Sequence, residues 1–358
     1  LEYYIFNHCD QKKKIFSVLI FKMNIINLNR KNQETPLDVF MKWLEPDIVK
    51  INQSILKNLL GSEPLISDLS NHIIGSGGKR IRPLLTIACS KLCNYIGTRH
   101  IELASVIEFI HTATLLHDDV VDDSKKRRGK SSANFIWDNK SSILVGDYLL
   151  SKAFRILINE GSIACLDIIS KASVKISNGE VKQLVSIKNL HTNESEYLDI
   201  INHKTAELFS AACQIGGEVS EINSEKKKCL AEFGTFLGMA YQIVDDSLDY
   251  FSDFKTSGKS SGNDLKEGKM SLPLILCYKR CDKSEKKIIE FIINKNRTNN
   301  SDFLKIIDLM TKYDVKQDCV KKAKYFSTMA VDSLGIFADS AEKEKLVNLV
   351  DYLTYRTK

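Results

Sequence analysis

The sequence has no run of apolar residues long enough to cross a membrane, and it is poor in residues that interrupt helices. Only five of its 358 residues are proline, and 17 are glycine. A spanning helix needs about 20 consecutive apolar residues, so we predict no transmembrane segment. Sustained alternation of apolar and polar residues, the pattern of a half-buried strand, is also missing. Long segments with helical periodicity remain, and they predict an all-α fold.

Three further absences narrow the function. The nine cysteines form no CxxC pair with a zinc-type partner, so we interpret them as buried thiols in a reducing compartment. The net charge is +6, but no Lys/Arg block is interleaved with aromatic residues. We therefore expect no nucleic-acid partner, and anionic small molecules fit the charge better. Gly77-Gly78-Lys79 is not a P-loop, because Arg80 stands where Ser or Thr should follow.

The N-terminal region has a different character from the rest of the chain. Ile15 to Phe21 is a short apolar run behind three lysines, which resembles a secretory signal but lacks a small-residue cleavage site. Met23 offers an alternative start. We predict that residues 1–35 are an N-terminal extension, disordered or not native, and that residues 36–358 form a single all-α domain. We expect the protein in the cytoplasm.

Helical periodicity is clearest in three segments. Asp38 to Leu60 is amphipathic, whereas Ile101 to Asp123 is apolar nearly all round, which predicts a central buried helix. Cys229 to Tyr250 is a second long apolar helix. The stretch Ser252 to Ser271 is rich in Gly, Ser, Lys and Asp and is predicted to be a loop.

An apolar helix that ends in paired aspartates occurs twice. The first end reads HDDVVDDSKKRRGK and the second QIVDDSLDY, and Asp118 and Asp245 lie 127 positions apart (245 − 118). Carboxylates one helical turn apart repel each other, and at a helix C-terminus they oppose the macrodipole. A bound divalent cation would compensate both costs, and oxygen-only clusters suit Mg²⁺. A solvated acidic surface is the alternative for either end alone.

Basic residues accompany both acidic ends. Acidic and basic clusters together predict a metal-bridged diphosphate, with Mg²⁺ on one side of the anion and Arg or Lys on the other. Any one of these cations alone would more often be an exposed solubilising charge. The basic residues concerned are Lys79, Arg82, Arg127, Arg128, Lys204, Lys259 and Lys269.

Five motifs in a fixed order carry a family resemblance. They are GGKRIRP, HDDVVDDSKKRRGK, GEVKQL, KTAELFSAAC and GMAYQIVDDSLDY with the following GKSSGNDLKEGKMSLP. With these motifs the chain, from about Phe40 to its C-terminus, resembles the trans-type polyprenyl diphosphate synthases, and among them the octaprenyl and other long-chain enzymes. The resemblance implies an isoprenoid-synthase-type helix bundle around a deep central cavity, usually homodimeric. It also implies condensation of an allylic diphosphate with isopentenyl diphosphate and loss of pyrophosphate.

The resemblance also implies roles for individual residues. Asp118, Asp122 and Asp245 would bind Mg²⁺, three ions with substrate bound, supported by Asp119, Asp246 and Asp249. The allylic diphosphate would be held by Arg127, Lys204, Thr205, Gln242, Lys259 and Lys269. The isopentenyl diphosphate would be held by Lys79, Arg82, His111 and Arg128. Of these, the six aspartates, Arg127, Arg128 and Lys204 would form the catalytic set.

Product length is predicted from the helix that leads into the first acidic motif. Thr114 and Ala113 precede Asp118 by four and five positions, and Ile110 and Ile107 continue that face. In short-chain members of the family a bulky aromatic commonly blocks the cavity at one of the two nearer positions. Both residues are small here, which predicts a product longer than farnesyl. By analogy we expect an octaprenyl chain for quinone side chains, made from farnesyl diphosphate.

Alternatives remain open at this point. The chain could belong to the same family with a product in the geranylgeranyl range, or it could be a non-catalytic partner subunit. A partner subunit would be expected to lose aspartates or cations, and a terpene cyclase would need no second diphosphate site, so Lys79, Arg82 and Arg128 argue against it. Release of a long apolar product predicts weak peripheral contact with a membrane.

Overall fold

The structure is a computed structural model of the whole chain. It describes residues 34–75, 78–251, 262–295 and 298–356. Most of these residues are helical, which confirms the all-α prediction. The predicted N-terminal extension lies outside the described residues except for its last two positions, and the single domain over residues 36–358 stays a prediction.

Seventeen α-helices, numbered here in chain order, lie in the described ranges. They are α1 (Pro36–Trp43), α2 (Glu45–Leu59), α3 (Pro64–Ile74), α4 (Ile81–Leu92), α5 (Arg99–Val121), α6 (Ala133–Ile136), α7 (Asn139–Glu160), α8 (Ile163–Ser186), α9 (Glu194–Ile201), α10 (Glu207–Val219), α11 (Ser224–Phe251), α12 (Asn263–Glu267), α13 (Leu272–Arg280), α14 (Lys283–Ile293), α15 (Asn300–Lys312), α16 (Val315–Ser333) and α17 (Ala341–Tyr355). A π-helical segment, Asn202–Ala206, joins α9 to α10, and a 3₁₀ turn, Leu334–Ile336, follows α16. Two-residue strands β1 (Lys126–Arg127) and β2 (Lys130–Ser131) form an antiparallel hairpin.

Two segments differ from their predictions. The single helix expected over Asp38 to Leu60 is broken, because α1 ends at Trp43 and α2 begins at Glu45 with Pro46 in its first turn. Proline lacks the amide hydrogen that a continuous helix would need there, and its ring clashes with the preceding turn. The predicted loop Ser252 to Ser271 lies partly outside the described residues, and its described part contains the one-turn helix α12.

Two helices organise the bundle around them. In α5 every residue from Leu103 to Ile110 is buried, which confirms the predicted central helix. The longest helix, α11, belongs to two hydrophobic cores. Its first half, with Phe233 and Leu237, packs into the core that also contains α5. Its second half, with Ile243 and Val244, packs into a core formed with α13 to α16. The acidic ends of α5 and α11 are therefore set on well-packed helices.

The described cysteines are free thiols, most of them buried, as predicted. Within the described ranges, none of the helices combines the length and the apolar character that crossing a bilayer would require.

Candidate functional site

Both acidic helix ends face one cavity of about 690 Å³. The helix α5 ends at Val121, so Asp118 lies in its last turn and Asp122 caps it. In α11 the aspartates precede the helix end by a few residues. The cavity is lined by Asp118 and Asp122 from the first end and by Asp245, Asp246 and Asp249 from the second. The matched ends that the sequence predicts are therefore opposed across one space.

Asp119 does not line this cavity. Its side chain is 1% exposed, and it accepts a hydrogen bond of 2.8 Å from Nε of Arg127. Burial raises the pKa of the Asp119 carboxyl, and the neighbouring guanidinium only partly offsets this. The contact places the Arg127 guanidinium at the cavity wall, because Arg127 also lines the cavity. Asp119 is thus in a position to orient Arg127, and its catalytic role stays a prediction.

A chain of hydrogen bonds holds the second aspartate of α11. The Tyr197 hydroxyl donates to Oδ2 of Asp246 at 2.6 Å, and Nε2 of Gln242 donates to its Oδ1 at 2.7 Å. Thr205 in turn donates to Oε1 of Gln242 at 2.7 Å. Burial raises the pKa of Asp246 to about 6 despite both donors. The network fixes the orientation of Gln242 and Thr205, two of the predicted diphosphate-binding residues.

Lys204 reaches the cavity from the π-helical segment Asn202–Ala206, whose wider turn is typical of functional sites. Two glycines let neighbouring helices approach this segment. A Cβ at Gly179 of α8 would lie 2.6 Å from the Lys204 amide nitrogen, and one at Gly238 of α11 would lie 2.5 Å from the Cα of Ala206. Lys204 Nζ lies 2.6 Å from Glu180 and 3.9 Å from Asp118, so it is held beside the first acidic end.

Lys269 contacts the first acidic end from the segment that follows α11 in the chain. Its Nζ donates to Oδ2 of Asp122 at 2.8 Å and lies 2.7 Å from Glu267. Burial works to lower the pKa of Lys269, but the two carboxylates outweigh it and raise the pKa. The segment that follows α11 in the chain is thereby tied to the end of α5.

A second basic group lies near His111, which precedes Asp118 by seven positions on α5. Arg82 Nη1 is 3.1 Å from Nε2 of His111, and its guanidinium lies over the Phe209 ring, 4.5 Å from the centroid. Burial and the neighbouring arginines hold the pKa of His111 well below its usual value. The neutral imidazole therefore accepts the hydrogen bond from Arg82. Arg128 occupies the turn between β1 and β2 with φ 52°, a left-handed conformation that is costly for a residue with a side chain.

The structure brings most of the predicted site residues together and leaves a few apart. The four predicted chain-length residues Ala113, Thr114, Ile110 and Ile107 do not line the cavity, and the first of them is 2% exposed. Lys259 lies outside the described residues. Around the cavity, besides the aspartates, are Lys79, Arg82, His111, Arg127, Arg128, Lys204, Thr205, Gln242 and Lys269.

Sequence reasoning missed several residues that line the cavity or, like Glu180, pair with a residue that lines it. Glu180 belongs to the GEVKQL motif, and the adjacent Gly179 was a usable signal for close packing. Tyr197 precedes Lys204 by seven positions, which places it two helical turns away on the same side. Arg356 had no signal, because it comes from the end of α17; its Nη2 lies 3.2 Å from Oδ1 of Asp245 and its guanidinium covers the Tyr241 ring.

The carboxylates of the two acidic helix ends are suitable ligands for Mg²⁺. The acidic ends supply carboxylate oxygens, which hard cations prefer, and Mg²⁺ typically binds one or two carboxylates together with water and substrate phosphates. Among the residues that the structure describes, no three potential ligand side chains converge as a closed metal site. The opposed carboxylates therefore suit an ion that completes its coordination with a diphosphate.

Comparisons with known proteins agree with this geometry. A helical bundle with two opposed acidic helix ends and cations between them is an arrangement for binding diphosphates through metal ions. The polyprenyl synthetase family model matches residues 63–310, and the chain belongs to the polyprenyl synthetase family. It is 36% identical over 320 residues to an octaprenyl diphosphate synthase of Haemophilus influenzae, covering 89% of this chain and 97% of that one.

Other relatives are named for products of a different length. An all-trans-nonaprenyl-diphosphate synthase of Rhodobacter capsulatus is 35% identical, over 85% of this chain and 93% of its own length. Among solved structures, a polyprenyl synthase of Caulobacter crescentus complexed with calcium and isoprenyl diphosphate superposes with a TM-score of 0.87 at 36% identity. That match covers 91% of this chain and all of the other one. The isoprenoid-synthase-type fold predicted from the sequence is thereby confirmed.

Proposed function

We propose that this chain is an Mg²⁺-dependent trans-prenyltransferase that condenses an allylic diphosphate, farnesyl diphosphate, with successive isopentenyl diphosphates. Each step releases pyrophosphate, and the product is a long-chain, about octaprenyl, diphosphate for quinone side chains. The observation that carries the proposal is that Asp118 and Asp122 line the same cavity as Asp245 and Asp249. The relatives named above support the reaction class, and their range of products leaves the length to experiment.

The first diphosphate would lie between the two acidic ends. Bound to Asp118, Asp122 and Asp245, Mg²⁺ would neutralise charge on the leaving pyrophosphate and so favour its departure. Lys204 and Lys269 add positive charge at the same place, and their ion pairs hold both ammonium groups beside the carboxylates. Such preorganised charges stabilise a developing anion without rearranging during the reaction.

The second diphosphate would lie on the group formed by Lys79, Arg82, Arg128 and His111. Neutral His111 holds Arg82 by accepting its hydrogen bond, so the guanidinium keeps other donors for a phosphate. The Phe209 ring packs behind this part of the cavity, under the Arg82 guanidinium. The allylic group becomes carbocation-like as pyrophosphate leaves, and an apolar wall limits its capture by water. We expect no protein nucleophile, and the released pyrophosphate is a suitable base for the final proton.

Association of two copies is part of the proposal. Apolar side chains on the outer faces of α7 and α8 are exposed in the single chain, among them Leu144 at 67%, Val174 at 71% and Val185 at 75%. Exposed apolar patches of this kind are typical of subunit interfaces. A homodimer would cover them, and light scattering should then report twice the mass of one chain. A cytoplasmic location with weak peripheral membrane contact stays a prediction.

One assay tests the reaction. Purified protein is incubated with Mg²⁺, labelled isopentenyl diphosphate and one allylic primer of each length, and the products are separated by chromatography. We expect incorporation that depends on the primer and ends in a long-chain product. Products in the geranylgeranyl range would select the shorter-chain alternative. If no label were incorporated with any primer, conversion of the primer itself to an unlabelled hydrocarbon ring would identify a cyclase, and an unchanged primer would indicate a partner subunit.

A further inference from the structure

Glu108 is a buried carboxylate at the cavity wall that none of the interactions above uses. It precedes His111 by three positions on α5, so the two side chains lie one turn apart on the same face. The residue is 6% exposed and lines the cavity, and its Oε2 is buried without a hydrogen-bond partner. Burying a carboxylate is costly unless opposite charges compensate it, which directs attention to its neighbours.

The first neighbour is Arg80, whose guanidinium connects three helices. It donates to Oδ1 of Asn52 on α2 and to the Ile74 carbonyl oxygen at the end of α3 at 3.4 Å, and its Nε lies 3.8 Å from Oε1 of Glu108 on α5. Arg80 itself has φ 45° and directly precedes α4. Its side chain thus holds the backbone between Lys79 and Arg82 in a conformation that a non-glycine residue rarely adopts.

The other neighbours are Arg82 and Arg128. Burial lowers the pKa of each guanidinium, and the negative charge of Glu108 acts in the opposite direction on both. Arg128 also packs against the backbone before Lys79, since a Cβ at Gly78 would lie 2.3 Å from its Nη1. Guanidinium groups so close together repel one another, and Glu108 lies where its charge reduces that repulsion.

We propose that Glu108 is a positioning residue for the isopentenyl diphosphate pocket. Through Arg80 it holds the backbone on which Lys79 and Arg82 stand, and its charge lets the arginines remain together before the diphosphate arrives. The inference rests on the proposed function, because it assigns the basic group to isopentenyl diphosphate. Glu108 acts through the arginines and touches no reacting atom, so its removal should affect one substrate and spare the other.

The experiment is steady-state kinetics of Glu108→Gln, which keeps the shape of the side chain and removes its charge. The KM for isopentenyl diphosphate should rise about tenfold, which corresponds to about 1.4 kcal/mol, while the KM for the allylic primer and kcat change less than about twofold. Calorimetric titration with isopentenyl diphosphate alone, without Mg²⁺, should show the same loss of affinity. An unchanged or lower KM for isopentenyl diphosphate, or an equal rise for both substrates, would overturn the proposal.

Glu102 provides a matched control on the same helix. It also ties α5 to α2, by accepting a hydrogen bond from Ser54 at 2.8 Å, but it does not line the cavity. Glu102→Gln should leave both KM values unchanged, and an equal effect from this variant would mean that Glu108 acts only through the fold. Inactive wild-type protein would count against the proposed function, whereas active wild type with an unmoved KM in Glu108→Gln would count against this inference alone.

A second variant covers the case in which Glu108→Gln does not fold. Arg80→Gln removes the other half of the pair and should raise the KM for isopentenyl diphosphate selectively as well. Partners that act through one contact are not additive, so the double variant should show no more than the larger single rise. A double variant whose rise equals the product of the two single rises would overturn the coupling.

Discussion

The two acidic helix ends look alike in sequence and are built differently. In each, the first aspartate of the pair lines the cavity, but the second aspartate differs: Asp246 also lines the cavity, whereas Asp119 does not. At the end of α5 the inward carboxylate, Asp119, is held by a cation, Arg127, only eight positions away. At the end of α11 the second carboxylate, Asp246, is held by neutral donors, one of which, Tyr197, lies 49 positions away.

The difference shows how one chemical motif can be supported in two ways. The paired residues Asp119 and Arg127 form a charged contact that places a predicted diphosphate ligand at the cavity. The neutral network around Asp246 instead fixes an amide and a hydroxyl. Losing a charged partner costs a buried carboxylate more than losing a neutral one. Variants can therefore test whether the two ends contribute equally to kcat and unequally to the free energy of unfolding.

The largest effect is expected from the aspartates that face the cavity. Asp118→Asn and Asp245→Asn should each lower kcat by about 10² to 10³, the size seen when one preorganised charge-stabilising group is lost. Incorporation of labelled isopentenyl diphosphate at saturating Mg²⁺ measures both. Asp123→Asn is the control, because Asp123 is exposed, does not line the cavity, and has a left-handed φ of 46° that asparagine tolerates. Near-normal activity in only one of the two cavity variants would show that the ends are not equivalent.

The second effect concerns stability at the second aspartate of each pair, Asp119 and Asp246. Arg127→Met leaves Asp119 buried without its counterion, which should lower the free energy of unfolding by about 3 kcal/mol or more. Tyr197→Phe removes one hydrogen bond to a carboxylate and should cost about 1.5–3 kcal/mol. Urea denaturation at neutral pH compares them, with exposed Lys125→Met expected to change stability by less than about 0.5 kcal/mol. If Tyr197→Phe proved the more costly variant, the charged contact would not be the stronger support.

These same residues show how much of the site can be predicted from the sequence alone. Periodicity and charge were enough to place Asp118 and Asp245 at the ends of long helices, because both signals are local. How the second aspartate of each pair is held depends on partners such as Tyr197, which only packing brings near. Arg356 arrives from the far end of the chain and carries no motif. The break before α2 was readable from Pro46, but the amphipathic pattern continues across it.

A third effect tests the inner face of α5 as the predicted determinant of product length. Ala113→Phe should shorten the product, because a ring five positions before Asp118 would occupy the path of the growing chain. Chromatography of the products measures this. The structure buries Ala113, so a melting curve must accompany the assay, since extra volume in a packed core destabilises. On α11, Tyr241 stands four positions before Asp245 and already carries a ring, so Tyr241→Phe should leave the product length unchanged. Unchanged length in folded Ala113→Phe would contradict the prediction.

The smallest effect concerns the dependence of stability on pH. It is expected from α5 alone, because seven positions before the first aspartate α5 has His111 and α11 has Gly238. Burial holds the pKa of folded His111 well below its value in the unfolded chain, so the unfolded chain binds more protons under mildly acidic conditions. The free energy of unfolding is therefore unaffected by this residue above about pH 6.5. It falls as the pH is lowered, by at most about 2 kcal/mol at pH 5. His111→Asn should therefore flatten the fall in unfolding free energy between pH 7 and pH 5, measured by urea denaturation. His191→Asn is the control, because His191 is exposed. If the unfolding free energy of His111→Asn fell with pH as steeply as that of the wild type, the acid sensitivity would belong to other groups.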